Sequence, residues 1–189
     1  MSKVFIISDT HFRHRNIIEY TTRINYLEAK DIDSMAEMII ERWNSVVGHD
    51  DIVYHLGDFG FGGAKVFKEM VSRLNGRIRI ILGNHDPRKS QKWYLDVGFD
   101  AMYDNPIILD KWFILSHEPI PYLTEAMPYV NIHGHTHDEC YDNPQRYNAC
   151  WELTEGVPTL FTEIKDHYVE LNEVDTAAQN FWKARHGAG

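Results

Sequence analysis

Apolar and polar positions along the chain fall into short hydrophobic runs that stop abruptly in polar turns. Ile52 to His55 and Arg77 to Leu82 are such runs, mostly apolar as parallel strands covered on both faces must be. Between them lies a helical stretch, Ala64 to Asn75, so the segment Asp51 to Asp86 reads as a βαβ unit. Both strands end in glycine followed by a polar residue, Gly57-Asp58 and Gly83-Asn84. Side by side, they would deliver those residues to the carboxyl edge of a sheet, where α/β folds build their sites.

The same pattern recurs elsewhere. Lys3 to Ser8 is a β-branched and aromatic run ending in Asp9-Thr10-His11. Asp31 to Val47 opens with acidic capping residues and places Ile32, Met35, Met38, Ile39, Ile40, Trp43, Val46 and Val47 close to helical spacing, as expected of a sheet-covering helix. Phe12 to Asn25 has no clear period and carries Arg13, Arg15 and Arg23, which predicts a loop beside the site able to meet an anion. Gly60 to Gly63 is a turn into the following helix and lacks the Lys and Ser/Thr of a nucleotide P-loop. Arg88 to Gly98 predicts a helix. Strands follow at Phe99 to Tyr103, Pro106 to Leu109, Lys111 to Ser116, Tyr129 to Ile132, Arg146 to Trp151 and Pro158 to Ile164, with an ordered proline-containing loop over Glu118 to Pro128 and a terminal helix over Asp166 to Arg185. Helices alternate with strands early and strands dominate after residue 99, so the expected architecture is two sheets packed face to face with helices outside, in a single domain over 1–189.

Composition narrows the picture. With 189 residues, 43% of them hydrophobic, the chain can fill one core. The net charge of −9, without a basic run, predicts no stable nucleic-acid binding. The N-terminal apolar run is too short for a leader or a membrane span, and Cys140 and Cys150 are too few for a disulfide framework, so a soluble cytoplasmic protein is expected. Oligomeric state is not legible.

The eleven histidines matter through their placement. Predicted strand ends present Asp9 and His11, Asp58, Asn84 and His85, His117, and His135 with His137. Imidazole and carboxylate together suit first-row divalent ions such as Mn, Fe, Zn or Ni, and the absence of paired cysteines argues against a thiolate site. Such a set is too large for one ion and about right for two.

Asp9-Thr10-His11, Gly57-Asp58, Gly83-Asn84-His85-Asp86, His117 and Gly134-His135-Thr136-His137 resemble, in this order, the motifs of the calcineurin-like metallophosphoesterases. The resemblance implies a four-layer α/β/β/α sandwich of two mixed sheets flanked by helices. It also implies a dinuclear metal centre: Asp9, His11 and His137 on one ion, Asn84, His117 and His135 on the other, and Asp58 bridging. His85 would face the substrate as proton donor, with Asp86 holding its ring, while His55 and His133 fall outside the motif. The implied activity is hydrolysis of phosphate esters by hydroxide bridging the two metals. Because His85 is kept, a phosphodiester, nucleotide-type esters included, is the favoured substrate. A phosphomonoesterase acting on a small metabolite or protein is the first alternative, and a metal-binding scaffold without activity the second. The run Asp9 to Ile18 is similar to small bacterial and phage members, which implies that His14 and Asn16 sit at the rim of the site. Arg13, Arg15 and Arg88 are candidate phosphate contacts.

Overall fold

A computed structural model describes residues 2–25, 31–123, 129–139 and 145–170. Four strands, β1 (Val4–Ile7), β2 (Ile52–His55), β3 (Arg77–Ile81) and β4 (Ala101–Tyr103), run parallel in the spatial order β4-β3-β2-β1. A second sheet joins β5 (Ile107–Leu109), β6 (Phe113–Leu115), β7 (Val130–His133) and β8 (Arg146–Asn148), with β5 antiparallel to β6 and the rest parallel. The short β9 (Thr159–Leu160) returns to the first sheet, antiparallel to β1. The protein is thus a mixed α/β fold of two mixed sheets flanked by helices, as the sequence motifs implied.

Side-chain alternation along the strands separates two apolar cores. Phe5, Ile7, Val53, Ile78 and Ile80 face outward onto α2 (Ile32–Val46) and α3 (Ala64–Arg73), meeting Met35, Ile39, Trp43, Phe67 and Met70. Ile6 and Tyr54 face inward onto Phe113, Leu115, Val130 and Ile132 of the second sheet. Helix α2 begins where its acidic residues indicated: Asp31 accepts from the Asp33 and Ser34 main-chain N–H groups, and Ser34 Oγ accepts from the Asp31 N–H. The expected helix over Arg88 to Gly98 is shorter, α4 (Gln91–Asp96), capped by Ser90.

Two local expectations are corrected. The stretch 12–25 is not a simple loop: it holds α1 (Ile17–Tyr20) and a 3-10 turn, Thr22–Asn25, because Ile17 and Ile18 pack into the outer core and Arg23 is fully buried. Pro158 to Ile164 is not a strand beyond Thr159–Leu160; Phe161 opens α5 (Phe161–Glu170). Phe161, Ile164 and Tyr168 recur at helical spacing and fill the core between the sheets, which outweighs the β propensity of the run. The expected terminal helix overlaps α5 up to Glu170, and its remainder, 171–185, lies outside the described residues, as do 124–128 of the proline loop and Cys140. Among the described residues no helix is long and apolar enough to cross a membrane.

Registers bring the strand ends to one edge. Ile7 pairs with His55 and His55 with Ile80, so the loops after β1, β2 and β3 emerge together. Leu115 pairs with Ile132, so the loops after β6 and β7 also leave side by side. Residues 149–151 then tie the sheets at that edge: Ser8 N–H donates to Ala149 O (2.8 Å) and Trp151 N–H to Ser8 O (3.0 Å).

Candidate metal centre

Five strand-end loops meet there, and close backbone approach depends on glycine. A Cβ on Gly83 would lie 2.2 Å from Asp58 Oδ1, and one on Gly134 would lie 2.0 Å from Ser8 Oγ and 2.4 Å from Asp9 Oδ2. The loops are also strained. Asp9, His11, Asp58, His135 and His137 all have positive φ, five of the nine such non-glycine residues among those described. Left-handed backbone at side-chain-bearing residues persists only where surroundings enforce it, and it gathers at functional sites.

Asp9 and Asp58 each spend one oxygen on the protein and turn the other inward. Asp9 Oδ2 accepts from the His135 N–H (2.9 Å) and the Cys150 thiol (3.3 Å), whereas Asp9 Oδ1 is buried without a hydrogen bond. Asp58 Oδ1 accepts from the His85 N–H (2.8 Å); its Oδ2 lies 3.7 Å from His11 Nε2 and 3.5 Å from His117 Nε2. Burial by itself would raise the Asp9 pKa, but the His11 contact and the neighbouring imidazoles of His117 and His137 hold it well below the usual carboxylate range.

The imidazoles are held from behind. His117 Nδ1 donates to the Leu56 carbonyl (2.8 Å), which turns Nε2 toward Asn84 Oδ1 at 2.8 Å. His135 Nδ1 joins them, 3.0 Å from Asn84 Oδ1 and 3.2 Å from His117 Nε2. Three polar atoms gathered this closely would fit around a cation, with the ring nitrogens and the amide oxygen as its donors. On the other side Asp9, His11 and His137 bring one donor atom each within 4.8 Å of one another, and Asp9, Asp58 and His117 do the same. His11 Nε2 is buried and without a hydrogen bond, 3.5 Å from Asp9 Oδ1. Orphaned buried acceptors facing one another fit divalent cations of the oxygen-and-nitrogen-liganded kind.

His85 and His14 stand around this centre. Their rings lie 5.7 and 5.2 Å from the His11 ring, and His14 packs on Phe61 at 4.3 Å. Burial, with the His11 and His85 charges adding to it, pushes His14 down to about 4, so it is neutral at pH 7. Both line a cleft of about 730 Å³ with Ile17, Tyr20, Thr136 and His137.

Asp86 does not hold the His85 ring as the resemblance implied. Its carboxylate is buried and accepts from three main-chain N–H groups, those of Asp58 (2.8 Å), Phe59 (3.0 Å) and Gly83 (2.8 Å). Burial, only partly offset by those bonds, pushes its pKa up to about 6. Arg13 points to Asp33, with Glu69 at 4.0 Å, and is absent from the lining of the His85 cleft. Arg88 is exposed and lines a smaller pocket with Asn84 and His117; Asn16 and Arg15 are exposed, Asn16 at the start of α1. His55 lies behind the site, its Nε2 2.9 Å from Thr10 Oγ1, and burial lowers its pKa to about 3. The sequence reading missed Glu152 and the burial of Arg23. Glu152 belongs to no motif, and its signal was its position just after the β8 strand, at the edge where the other loops gather.

A two-sheet α/β fold with carboxylates, imidazoles and an asparagine converging at the strand ends defines a metallophosphoesterase-type protein. The chain belongs to the calcineurin-like phosphoesterase superfamily, whose domain model matches residues 2–156. It is 36% identical over 142 residues to an uncharacterized protein of Methanocaldococcus jannaschii, spanning 69% of this chain and 77% of that protein. It is also 35% identical over 89 residues to the gene 66 protein of Mycobacterium phage L5, covering 46% of this chain and 41% of the phage protein. Among solved structures it is similar to a protein of unknown function from Aquifex aeolicus, with TM-score 0.65, 27% identity, and coverage of 88% of this chain and 99% of that one. Family membership supports phosphoester hydrolysis with divalent metals in general.

Proposed function

We propose that the protein is a single-domain, dinuclear metal-dependent phosphodiesterase. The observation that carries this reading is Asp58 Oδ2, facing His11 Nε2 at 3.7 Å and His117 Nε2 at 3.5 Å and so standing between two groups of inward-facing donors. Asp9, His11 and His137 would hold one ion, and Asn84, His117 and His135 the other, with Asp58 shared. Manganese, iron, zinc and nickel all suit such donors. Two such ions supply a water of lowered pKa and a clamp for phosphate oxygens.

The chain's own residues account for the rest. Two carboxylates against two divalent cations leave a local excess of about two positive charges, so an anionic ester is drawn into an acidic protein. His85, free of a hydrogen bond to Asp86 and lining the cleft, gives a proton to the leaving oxygen. Among the described residues no Lys or Arg lines that cleft, and Asp138 and Glu139 stand at its edge. A monoanionic diester suits these walls better than a dianionic monoester does. Tyr20, 75% exposed, and the His14 ring offer flat surfaces for an aromatic group such as a nucleobase. Cys150 is a buried free thiol, in keeping with a reducing cytoplasm.

The test is hydrolysis of bis-p-nitrophenyl phosphate and p-nitrophenyl phosphate by metal-stripped protein resupplied with Mn, Ni, Zn or Mg. Metal-dependent turnover preferring the diester is expected. Preference for the monoester would replace the diesterase reading with a phosphatase acting on a small metabolite or protein. No turnover by folded protein with any metal would leave a metal-binding scaffold.

A further inference from the structure

Arg23 and Glu152 lie 129 residues apart in sequence, yet their side chains are sealed from solvent and joined, Nε to Oε1, at 2.8 Å. Taking two charges out of water costs several kcal/mol per ion, roughly what their attraction returns, so a buried pair of this kind is a poor stabiliser. Its other contacts show what it touches. The Arg23 guanidinium donates to the main-chain carbonyls of Thr10 (2.8 Å) and Asp9, the turn that leads from β1 to His11. Glu152 Oε1 lies 3.2 Å from His137 Nδ1. The pair therefore reaches both sides of the Asp9, His11 and His137 group: the backbone of the first loop and the imidazole of the last.

A carboxylate only accepts, so Glu152 Oε1 at 3.2 Å favours the His137 tautomer with its proton on Nδ1, which would leave Nε2 as the lone pair. His117, in the other donor group, has a neutral carbonyl behind it instead, that of Leu56. Carboxylates behind a ligating imidazole raise its basicity as well as fix its tautomer. The two halves of the centre are therefore built differently.

Resting on the two-ion reading, we propose that Arg23 and Glu152 are positioning residues for the ion held by Asp9, His11 and His137, and not for the other. Arg23 fixes the Asp9 turn; Glu152 fixes the ring and tautomer of His137. Selective weakening of one ion follows.

Calorimetric titration of metal-free wild type, Glu152→Gln and Glu152→Ala with Mn(II) alone tests this, with urea unfolding of the metal-free proteins alongside. Wild type is expected to take two ions. Glu152→Ala should weaken one binding event by about 10- to 100-fold, the range for residues behind a metal-bound histidine, and Glu152→Gln, which keeps an acceptor, by less, with the other event unchanged. Should the alanine variant fail to fold, the near-isosteric glutamine variant decides. Two unchanged events, or two events weakened alike, would overturn the selective role while leaving the two-ion reading in place. Wild type that binds no Mn(II) would overturn that reading and this inference with it.

Discussion

Asp86 offers a sharp test because its sequence position and its surroundings point to different roles. The family resemblance makes it a partner for the His85 ring; in the structure both its oxygens accept main-chain N–H groups, Oδ2 from Asp58 and Gly83 and Oδ1 from Phe59. Substituting Asp86→Ala leaves three donors in a buried space. An unsatisfied buried donor costs about 1–3 kcal/mol, and water entering the vacated volume recovers part of that. The expected loss is about 3–5 kcal/mol, a large share of the roughly 5–15 kcal/mol that holds a domain together. Asp86→Asn keeps one oxygen as acceptor and sets an amide against a remaining N–H, so its loss should be smaller, about 1–2 kcal/mol. The assay is urea unfolding in excess chelator, followed by tryptophan fluorescence, with the midpoint compared at unchanged slope. Chelator matters, since it separates fold stability from any stabilisation by bound ions. An Asp86→Ala variant within about 0.5 kcal/mol of wild type, the usual range for an inconsequential site, but with impaired turnover would refute the main-chain role and restore the ring-holding one.

Four further outcomes are expected. Asp58→Asn should bring turnover down by more than the 10- to 100-fold typical of residues that merely support ligands, while circular dichroism shows the fold retained; unchanged turnover would remove Asp58 as the shared ligand. His85→Ala should lower kcat by about 10²- to 10⁴-fold, the usual worth of a general acid, with metal content by atomic absorption unchanged; equal loss of both would make His85 a ligand. In Gly134→Ala the new methyl meets Ser8 Oγ and Asp9 Oδ2, so stability should drop by about 1–3 kcal/mol, read by thermal melting of the metal-free protein. Conversely, His135→Gly relieves a residue at φ 72° and should raise the metal-free melting temperature slightly while weakening Mn(II) binding.

Much of this centre was legible because its residues follow abrupt ends of apolar runs. Val4–Ile7, Ile52–His55 and Arg77–Ile81 are strands where hydrophobicity predicted them, and parallel registers bring Asp9, Asp58 and Asn84 to a common edge. What escaped was decided by burial rather than local pattern. Arg23 reads as a surface cation in a polar stretch, yet its partner lies after β8, and no local window contains both. Phe161 looks like the middle of a strand until Ile164 and Tyr168 are seen on the same helical face. Asp86 was assigned to the His85 ring by resemblance, whereas main-chain N–H groups in the loops after β2 and β3 are what claim its carboxylate.

Two oppositely charged side chains do parallel work in holding the strained loops. Left-handed backbone at a non-glycine residue costs on the order of 1–2 kcal/mol, so five such residues together amount to a substantial fraction of a domain's stability. Arg23 grips the carbonyls of Asp9 and Thr10, and Asp86 grips the N–H groups of Asp58, Phe59 and Gly83, so a buried cation and a buried anion each secure the main chain around an inward-facing carboxylate. Both depend on the main chain rather than on a bound ion, so the loops after β1, β2 and β3 are shaped before metal arrives. The strain is thereby carried by the folded chain, and no binding energy from a metal ion would be needed to bend those loops. This separates two classes of substitution: changes to the grips should damage stability and metal binding together, whereas changes to the strained residues proposed as ligands should damage metal binding while leaving the metal-free fold as stable or more so.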